Sequence, residues 1–441
     1  MRIRAEVYSG AAVKAVISRA GAIFASLVLS VLVARVLGPE ESGKFFLLMA
    51  VLGALNTVAR YGTDNAALKI LGGASSRVGR DLFHLAALVV LCSLAVVGCS
   101  LGVILILRPD TGGNMAVYFV TASAIVPQAL VVLFGTIMRG RQMLAVGTMA
   151  ELGSIATLSV LLLTPVALLG TSSVITAMGC VALASWLTLM WSAPVAYRAL
   201  STTDKNAGDF SFIGLQKFFS IWKAPLTNIT SSSLLIFLLN WFPVFLLSAV
   251  GTLTDVSYFV VAMRLVGFIT LIPAIQASYL TPAIGRDYHH GAIQHLNNMC
   301  IRAARQAFAL SSLPTLILVF AAHPLVTYVY GGGFSPVAAP VVVMAVAALV
   351  VSYAGPVNAL MFLCDLEGVS LILNVGVAAA WASIGLWITL TYGLMGAASF
   401  QGAASILVAV ISACSLRHKR NIISFVRFSR VTSTPECGAE K

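Results

Sequence analysis

The chain has 441 residues, of which 59% are hydrophobic and 10% charged, and its mean hydropathy is +0.97. A soluble domain carries about 25% charged residues, so too few polar side chains exist here to cover a water-facing surface. That excludes an ordinary soluble enzyme, a nucleic-acid-binding protein and a disordered chain. The net charge of +12 then reads as loop charge facing an anionic leaflet.

A helix needs about 20 apolar residues to cross a bilayer core. In chain order, apolar runs fall at 15–36, 45–66, 84–107, 115–138, 147–169, 173–197, 221–249, 256–280, 303–322, 337–363, 369–391 and 394–415. They predict an all-α integral membrane protein with twelve transmembrane helices. The first run follows Lys14 and has further spans behind it, so it reads as a span and not as a cleaved leader. The seven cysteines contain no C-x-x-C pair. No disulfide framework, metal site or cofactor is expected.

Orientation follows from the 27 Lys and Arg residues. With the N-terminus inside, twenty lie in inner segments, Arg35, Lys44 and Arg108 lie in outer turns, and four lie within spans. This asymmetry predicts that both termini are cytoplasmic, which an even number of spans also requires. The outer turns near 170–173, 250–255 and 392–393 are too short for an external domain. The inner segment 281–302 carries Arg286, His289, His290, His295 and Arg302 among Ile293, Leu296 and Met299, and reads as a helix lying on the membrane surface. Its histidines could form a metal or pH sensor, although solvated histidines on such a face are commoner. Beyond Leu416, basic and apolar residues alternate, which predicts a tail resting on anionic lipid.

A shift of 213 residues sets Gly38 on Gly251 and Phe45, Phe46 on Tyr258, Phe259. The match is weak, yet it falls where a six-plus-six duplication would put it. It predicts two parallel lobes around an inter-lobe cavity. Residues 1–197 form the N-terminal six-helix lobe, 198–220 a cytoplasmic linker, 221–415 the C-terminal lobe and 416–441 a basic tail.

An ionisable residue within a span is costly and is a functional candidate. Arg19, Arg60, Lys223 and Arg264 are the cations and Glu151 the acid. At 1.5 Å per residue, Arg19 and Arg60 fall within the inner third, Lys223 at the inner end of span seven, and Arg264 toward the outer side. Snorkelling to headgroups competes as an explanation for Lys223 and Arg19, and pairing with Asp64 for Arg60. Asn56, Arg60 and Asp64 share one helix face at i, i+4, i+8, and should face a cavity. Span seven carries a polar band, Thr227, Asn228, Thr230, Ser231, Ser232, Ser233 and then Asn240, wide enough to be hydrated. The substrate-binding candidates are thus Arg19, Arg60, Lys223, Arg264, Asn56, Asn228 and Asn240, with Glu151 and Asp64 as candidates for ion coupling. Ala22, Ser26, Ser30 and Ala34 read as a close-packing stripe, and Gly98-x-x-x-Gly102 likewise. Pro127-Gln128, Pro243, Pro273 and Pro356 predict bends. No H-E-x-x-H, P-loop or G-x-S-x-G occurs, and no enzyme is expected.

The stretch Ala34-Arg35-Val36-Leu37-Gly38-Pro39-Glu40-Glu41-Ser42-Gly43-Lys44-Phe45 resembles the first outer turn of the polysaccharide-biosynthesis flippases. These are the Wzx-type O-antigen and exopolysaccharide translocases, in the superfamily (MOP) that also holds MATE drug exporters and lipid II flippases. The resemblance implies a bacterial inner-membrane protein that moves a polyprenyl-diphosphate-linked oligosaccharide by alternating access. It implies membrane lipid, a polysaccharide polymerase and export machinery as partners, no nucleic acid, and a monomer. In the motif, Gly38 and Gly43 would permit the tight turn and Arg35 would anchor near the interface. The lipid II branch has cavity cations in spans one, two and eight, the spans that hold Arg19, Arg60 and Arg264 here. The chain departs from that branch in lacking spans thirteen and fourteen. It departs from MATE exporters in lacking an acidic residue in span one. A proton- or sodium-coupled small-molecule exporter remains the alternative, with Glu151 as its coupling residue.

Overall fold

The computed structural model describes residues 2–72, 78–107, 115–170, 172–201, 212–364 and 366–426. No strand occurs among them. The helices, in order, are α1 (Arg2–Arg60), α2 (Thr63–Gly72), α3 (Val78–Leu107), α4 (Met115–Ser123), α5 (Ile125–Gly140), α6 (Leu144–Thr148), α7 (Ser154–Leu168) and α8 (Val174–Ser201). Then come α9 (Phe212–Val250), α10 (Leu253–His289), α11 (Ile293–Phe320), α12 (Ala322–Tyr330), α13 (Ala338–Tyr353), α14 (Val357–Leu363), α15 (Glu367–Ala380) and α16 (Leu386–Arg420). All-helical structure is what an apolar chain must adopt where water cannot satisfy backbone N–H and C=O groups.

Ten candidate membrane spans occur among the described residues, judged by length and composition. Eight correspond one to one with the apolar runs of the sequence. The other two, Ile17–Arg60 (44 residues) and Gly368–Arg420 (53 residues), each hold two runs. A straight 44-residue helix would reach about 66 Å, twice the thickness of a bilayer core. Both are broken at a glycine where the sequence places a turn: Gly38 has φ 76° and ψ 177°, and Gly393 has φ 55° and ψ −133°. The outer surfaces of the helices are apolar. Ile106, Leu168 and Phe320 are each more than 80% exposed, a density of exposed hydrocarbon that only lipid accommodates.

Packing divides the chain into two compact units. The first gathers Met1–Leu265, His323–Pro340 and Ser383–Ala397, and the second Val266–Ala322, Val341–Ala382 and Ala398–Lys441. In the first unit α1 packs along α6, α7 and α9. Small residues bring the backbones together. A Cβ on Gly43 would collide with the carbonyl oxygen of Leu253 in α10, and next to it the hydroxyls of Ser42 and Ser257 bond at 2.7 Å. Gly43 is helical and buried, so it serves this close approach and not the turn. The turn needs only Gly38, whose positive φ a side chain would oppose. Arg35 is exposed and donates to the carbonyls of Tyr328 and Val329, capping the end of α12.

Three expectations are corrected here. Segment 281–302 is not a surface helix. Residues up to His289 continue α10, a turn with Gly291 at φ 70° reverses the chain, and α11 begins at Ile293. Leu296 and Cys300 are buried in the second unit's core, while His295 reaches back to Asp287 at 2.7 Å. The start of the tail does not rest on lipid. Ile422, Ser424 and Val426 are buried, and Val426 exchanges two hydrogen bonds with Tyr353, at 3.1 and 2.9 Å; residues 427–441 lie outside the described residues. The Gly98-x-x-x-Gly102 pair packs against nothing among the described residues, since a Cβ at either position would meet open space.

Of the proline bends, Pro356 marks a true break, with a turn between α13 and α14. The interruption near Pro127 falls at Ala124, between α4 and α5. The α9 helix runs through both Pro225 and Pro243.

Candidate substrate site

The first unit contains the charged groups singled out from the sequence. The site begins where α1 ends. Tyr61 and Gly62 have φ of 46° and 67°, so the predicted continuous stripe Asn56, Arg60, Asp64 is interrupted by a left-handed turn. A non-glycine residue with positive φ is held there by its surroundings. The Tyr61 hydroxyl bonds Thr227 Oγ1 of α9 at 2.6 Å. Across this turn Arg60 Nη1 still donates to Asp64 Oδ2 at 2.9 Å, and Nη2 reaches Thr57 Oγ1 at 3.4 Å. One turn back, Asn56 is buried and donates through Nδ2 to Gln128 Oε1 at 3.2 Å. Gln128 donates in turn to Ser185 Oγ at 3.1 Å. This relay ties α1 to α5 and α8.

Glu151 sits in a π-helical turn, Met149–Gly153, that joins α6 to α7 inside one candidate span, Leu144–Leu168. Such turns insert a residue, re-aim the side chains around it and recur at functional sites. Its Oε2 lies 2.7 Å from Nη2 of Arg139 at the end of α5. Two glycines allow this pairing. A Cβ on Gly135 would stand 2.9 Å from the Gly147 carbonyl oxygen, and a Cβ on Gly147 would stand 2.5 Å from that of Gly135. The two helices run antiparallel, so Arg139 passes over Gly147 and Glu151 over Gly135, where a Cβ would come 2.7 Å from Arg139 Cγ and 3.0 Å from Glu151 Cβ, respectively. The long Arg139 side chain then reaches one turn along to the carboxylate. On the other side, Ser18 donates to the Ala145 carbonyl at 2.9 Å, and a Cβ on Gly153 would come 3.3 Å from Ala22. Arg139, Arg60, Asp64 and Arg19 all lie near enough to act on the charge of Glu151. Three guanidinium and two carboxylate side chains therefore share one region.

Arg264 stands apart from this cluster. It is partly buried and donates through Nη1 to Ser26 Oγ at 2.8 Å. Ser30, one turn further along α1, bonds the buried Tyr330 hydroxyl at 3.0 Å. The small-residue stripe of α1 therefore packs through Ala22 and binds polar side chains through its serines. Ser26 is seven residues beyond Arg19, about 10 Å along a helix.

The remaining candidates lie elsewhere on α9. Lys223, Asn228 and Asn240 are exposed. The polar band bonds back onto its own helix: Thr227 to the Lys223 carbonyl, Thr230 to that of Leu226, Ser232 to that of Asn228 and Asn240 to that of Ile236, all between 2.7 and 2.9 Å. Such bonds satisfy hydroxyl and amide groups within an apolar helix. Sequence reasoning missed Arg139 and Gln128. Arg139 ends its apolar run and looked like loop charge; Gln128 was noted only beside Pro127. Among the described residues no group of three or more His, Cys, Asp or Glu side chains gathers as a metal site.

The chain is thus a polytopic helical protein whose charged groups meet inside its helix packing. Comparison with known proteins agrees. The chain belongs to the polysaccharide biosynthesis protein family, whose model matches residues 12–286, more than half of its length. Its fold is that of MOP-superfamily transporters. The lipid II flippase MurJ in an inward closed conformation is 13% identical with a TM-score of 0.71, over 91% of this chain and 87% of that one. A MOP superfamily transporter from Pyrococcus furiosus, described as having a binding pocket of reverse polarity, is 16% identical with a TM-score of 0.67, over 93% and 95%. The Vibrio cholerae MATE transporter VcmN, as a point mutant, is 15% identical with a TM-score of 0.63, over 94% and 98%. No protein of curated function matches the sequence.

Proposed function

We propose that the chain is a flippase that carries a polyprenyl-diphosphate-linked oligosaccharide from the inner to the outer leaflet of a bacterial inner membrane, for O-antigen or exopolysaccharide synthesis. The observation that carries this reading is the arginine-rich cluster of Arg19, Arg60 and Arg139, with Arg264 of α10 bonded to Ser26, seven residues beyond Arg19 on α1. A diphosphate cannot enter hydrocarbon unaided, and guanidinium groups bind phosphate oxygens as planar forks. In this reading the cluster captures the diphosphate, Arg264 receives it as the access side changes, and the polyprenyl tail stays in lipid. Each glycine-broken helix is then a pair of crossings, giving twelve spans with both termini cytoplasmic. Residues 1–197 and 221–415 rock as two lobes, and polymerase and export machinery take the product.

The test is chemical. In cells that depend on the protein, Arg60→Ala at normal membrane level should cut surface polysaccharide about tenfold or more and make lipid-linked oligosaccharide accumulate. Wild-type surface polysaccharide from that variant would contradict the site. A second reading, a cation-coupled exporter of small molecules, is favoured by one observation: Glu151 lies well inside a candidate span. It predicts that Glu151→Gln stops export of a cationic drug, and that no polyprenyl diphosphate binds.

A further inference from the structure

The Arg139–Glu151 pair is built unlike an ordinary surface ion pair. Two facing glycines bring its helices together, and a π turn re-aims the carboxylate. The Glu151 side chain is only 17% exposed. The arginines nevertheless keep unused bonding capacity. Nε of Arg60 and Nε of Arg139 are buried and have no hydrogen-bond partner among the described residues, and Glu151 Oε2 makes an ion pair without a well-aligned hydrogen bond. A buried guanidinium donor without an acceptor is costly. One carboxylate offers two oxygens and one charge, while a diphosphate esterified at both ends offers four non-bridging oxygens and two charges. The cluster thus holds more donor capacity and more positive charge than its own acids use.

We propose that Arg139 and Arg60 form a phosphate subsite in which Glu151 acts as a resident substitute anion, displaced when the cargo's diphosphate arrives. This inference rests on the reading of the protein as a diphosphate-lipid flippase and adds Arg139 to its substrate contacts. Glu151 has two effects. It offsets the charge of Arg139 when no cargo is bound, as a half-buried cation requires. It also lowers affinity, because cargo meets a free subsite only in the fraction of molecules whose Glu151 has swung away. A flippase needs that weakening, since an anion held by Arg139 and Arg60 with no competing carboxylate would be released slowly.

The test measures binding of farnesyl diphosphate, with farnesol as the uncharged control, to the full chain in nanodiscs. Glu151→Gln keeps the shape and removes the competing charge, so affinity should rise about three- to tenfold. Arg139→Gln should lower affinity about tenfold or more, and should do so in the Glu151→Gln background as well. Arg139→Lys serves if the glutamine variant does not fold, and should fall between the two. A purely structural pair would instead lower thermal stability in both variants and move affinity in neither. Unchanged or weaker binding by folded Glu151→Gln would overturn the inference while leaving the flippase reading in place. Absence of diphosphate binding by the wild type would overturn that reading, and the subsite with it.

Discussion

Arg264 lies within a candidate span and is tied to α1 by its bond to Ser26 at 2.8 Å. If it binds a diphosphate as a fork, Arg264→Lys keeps the charge and loses the planar geometry, while Arg264→Ala loses both. Transport should fall in both variants, more in Ala, at unchanged membrane level. Losing one charge-assisted contact costs about 1.5–3 kcal/mol, which is roughly ten- to a hundredfold or more in affinity. Full transport by Arg264→Lys and near-normal transport by Arg264→Ala, in a polysaccharide-export complementation assay, would show a residue that only reaches headgroups. Arg264, Arg60 and Glu151 were legible in the sequence because a charge within an apolar run stands out. Arg139 was not. It closes an apolar run, where positive-inside bias already accounts for a cation, and only the facing glycines of α5 and α6 reveal its partner. The polar band of α9 was legible as polar, but its back-bonding onto its own helix depends on rotamers that no pattern of residue types encodes.

The helices themselves were legible wherever length and hydropathy decide the matter. Their breaks were legible where a glycine must adopt a positive φ, as at Gly38 and Gly393. The surface helix at 281–302 was misread because an amphipathic pattern looks the same on a membrane surface and on a helical hairpin packed by one face. The alternating tail was misread for the same reason. Its burial comes from long-range bonds between residues 421–426 and the elements around Asn297 and Tyr353. Glycine roles separate by contact. Gly43→Ala places a methyl against the Leu253 backbone, which no rotamer change relieves. It should lower stability by about 1–3 kcal/mol or more, seen as a lower unfolding midpoint of the purified protein. Gly98→Ala meets open space and should change stability by no more than about 0.5 kcal/mol. Equal midpoints for the two variants would refute the close crossing of α1 and α10.

For the molecule as a whole, the composition alone excluded every soluble class, and the motif from Ala34 to Phe45 pointed to the family whose model matches residues 12–286. The ten candidate spans and the twelve apolar runs differ only in how two glycine-broken helices are divided. A helical bundle with an arginine-rich interior is suited to moving an anionic headgroup whose tail remains in lipid. The decisive measurement is leaflet exchange of a fluorescent polyprenyl-diphosphate oligosaccharide in proteoliposomes, read by quenching from outside. The wild type should make the inner-leaflet pool accessible, and Arg60→Ala and Arg264→Ala should each slow this about tenfold or more. An inner-leaflet pool that stays protected in wild-type vesicles, together with cation-driven export of a small drug by the same preparation, would contradict a diphosphate-lipid flippase.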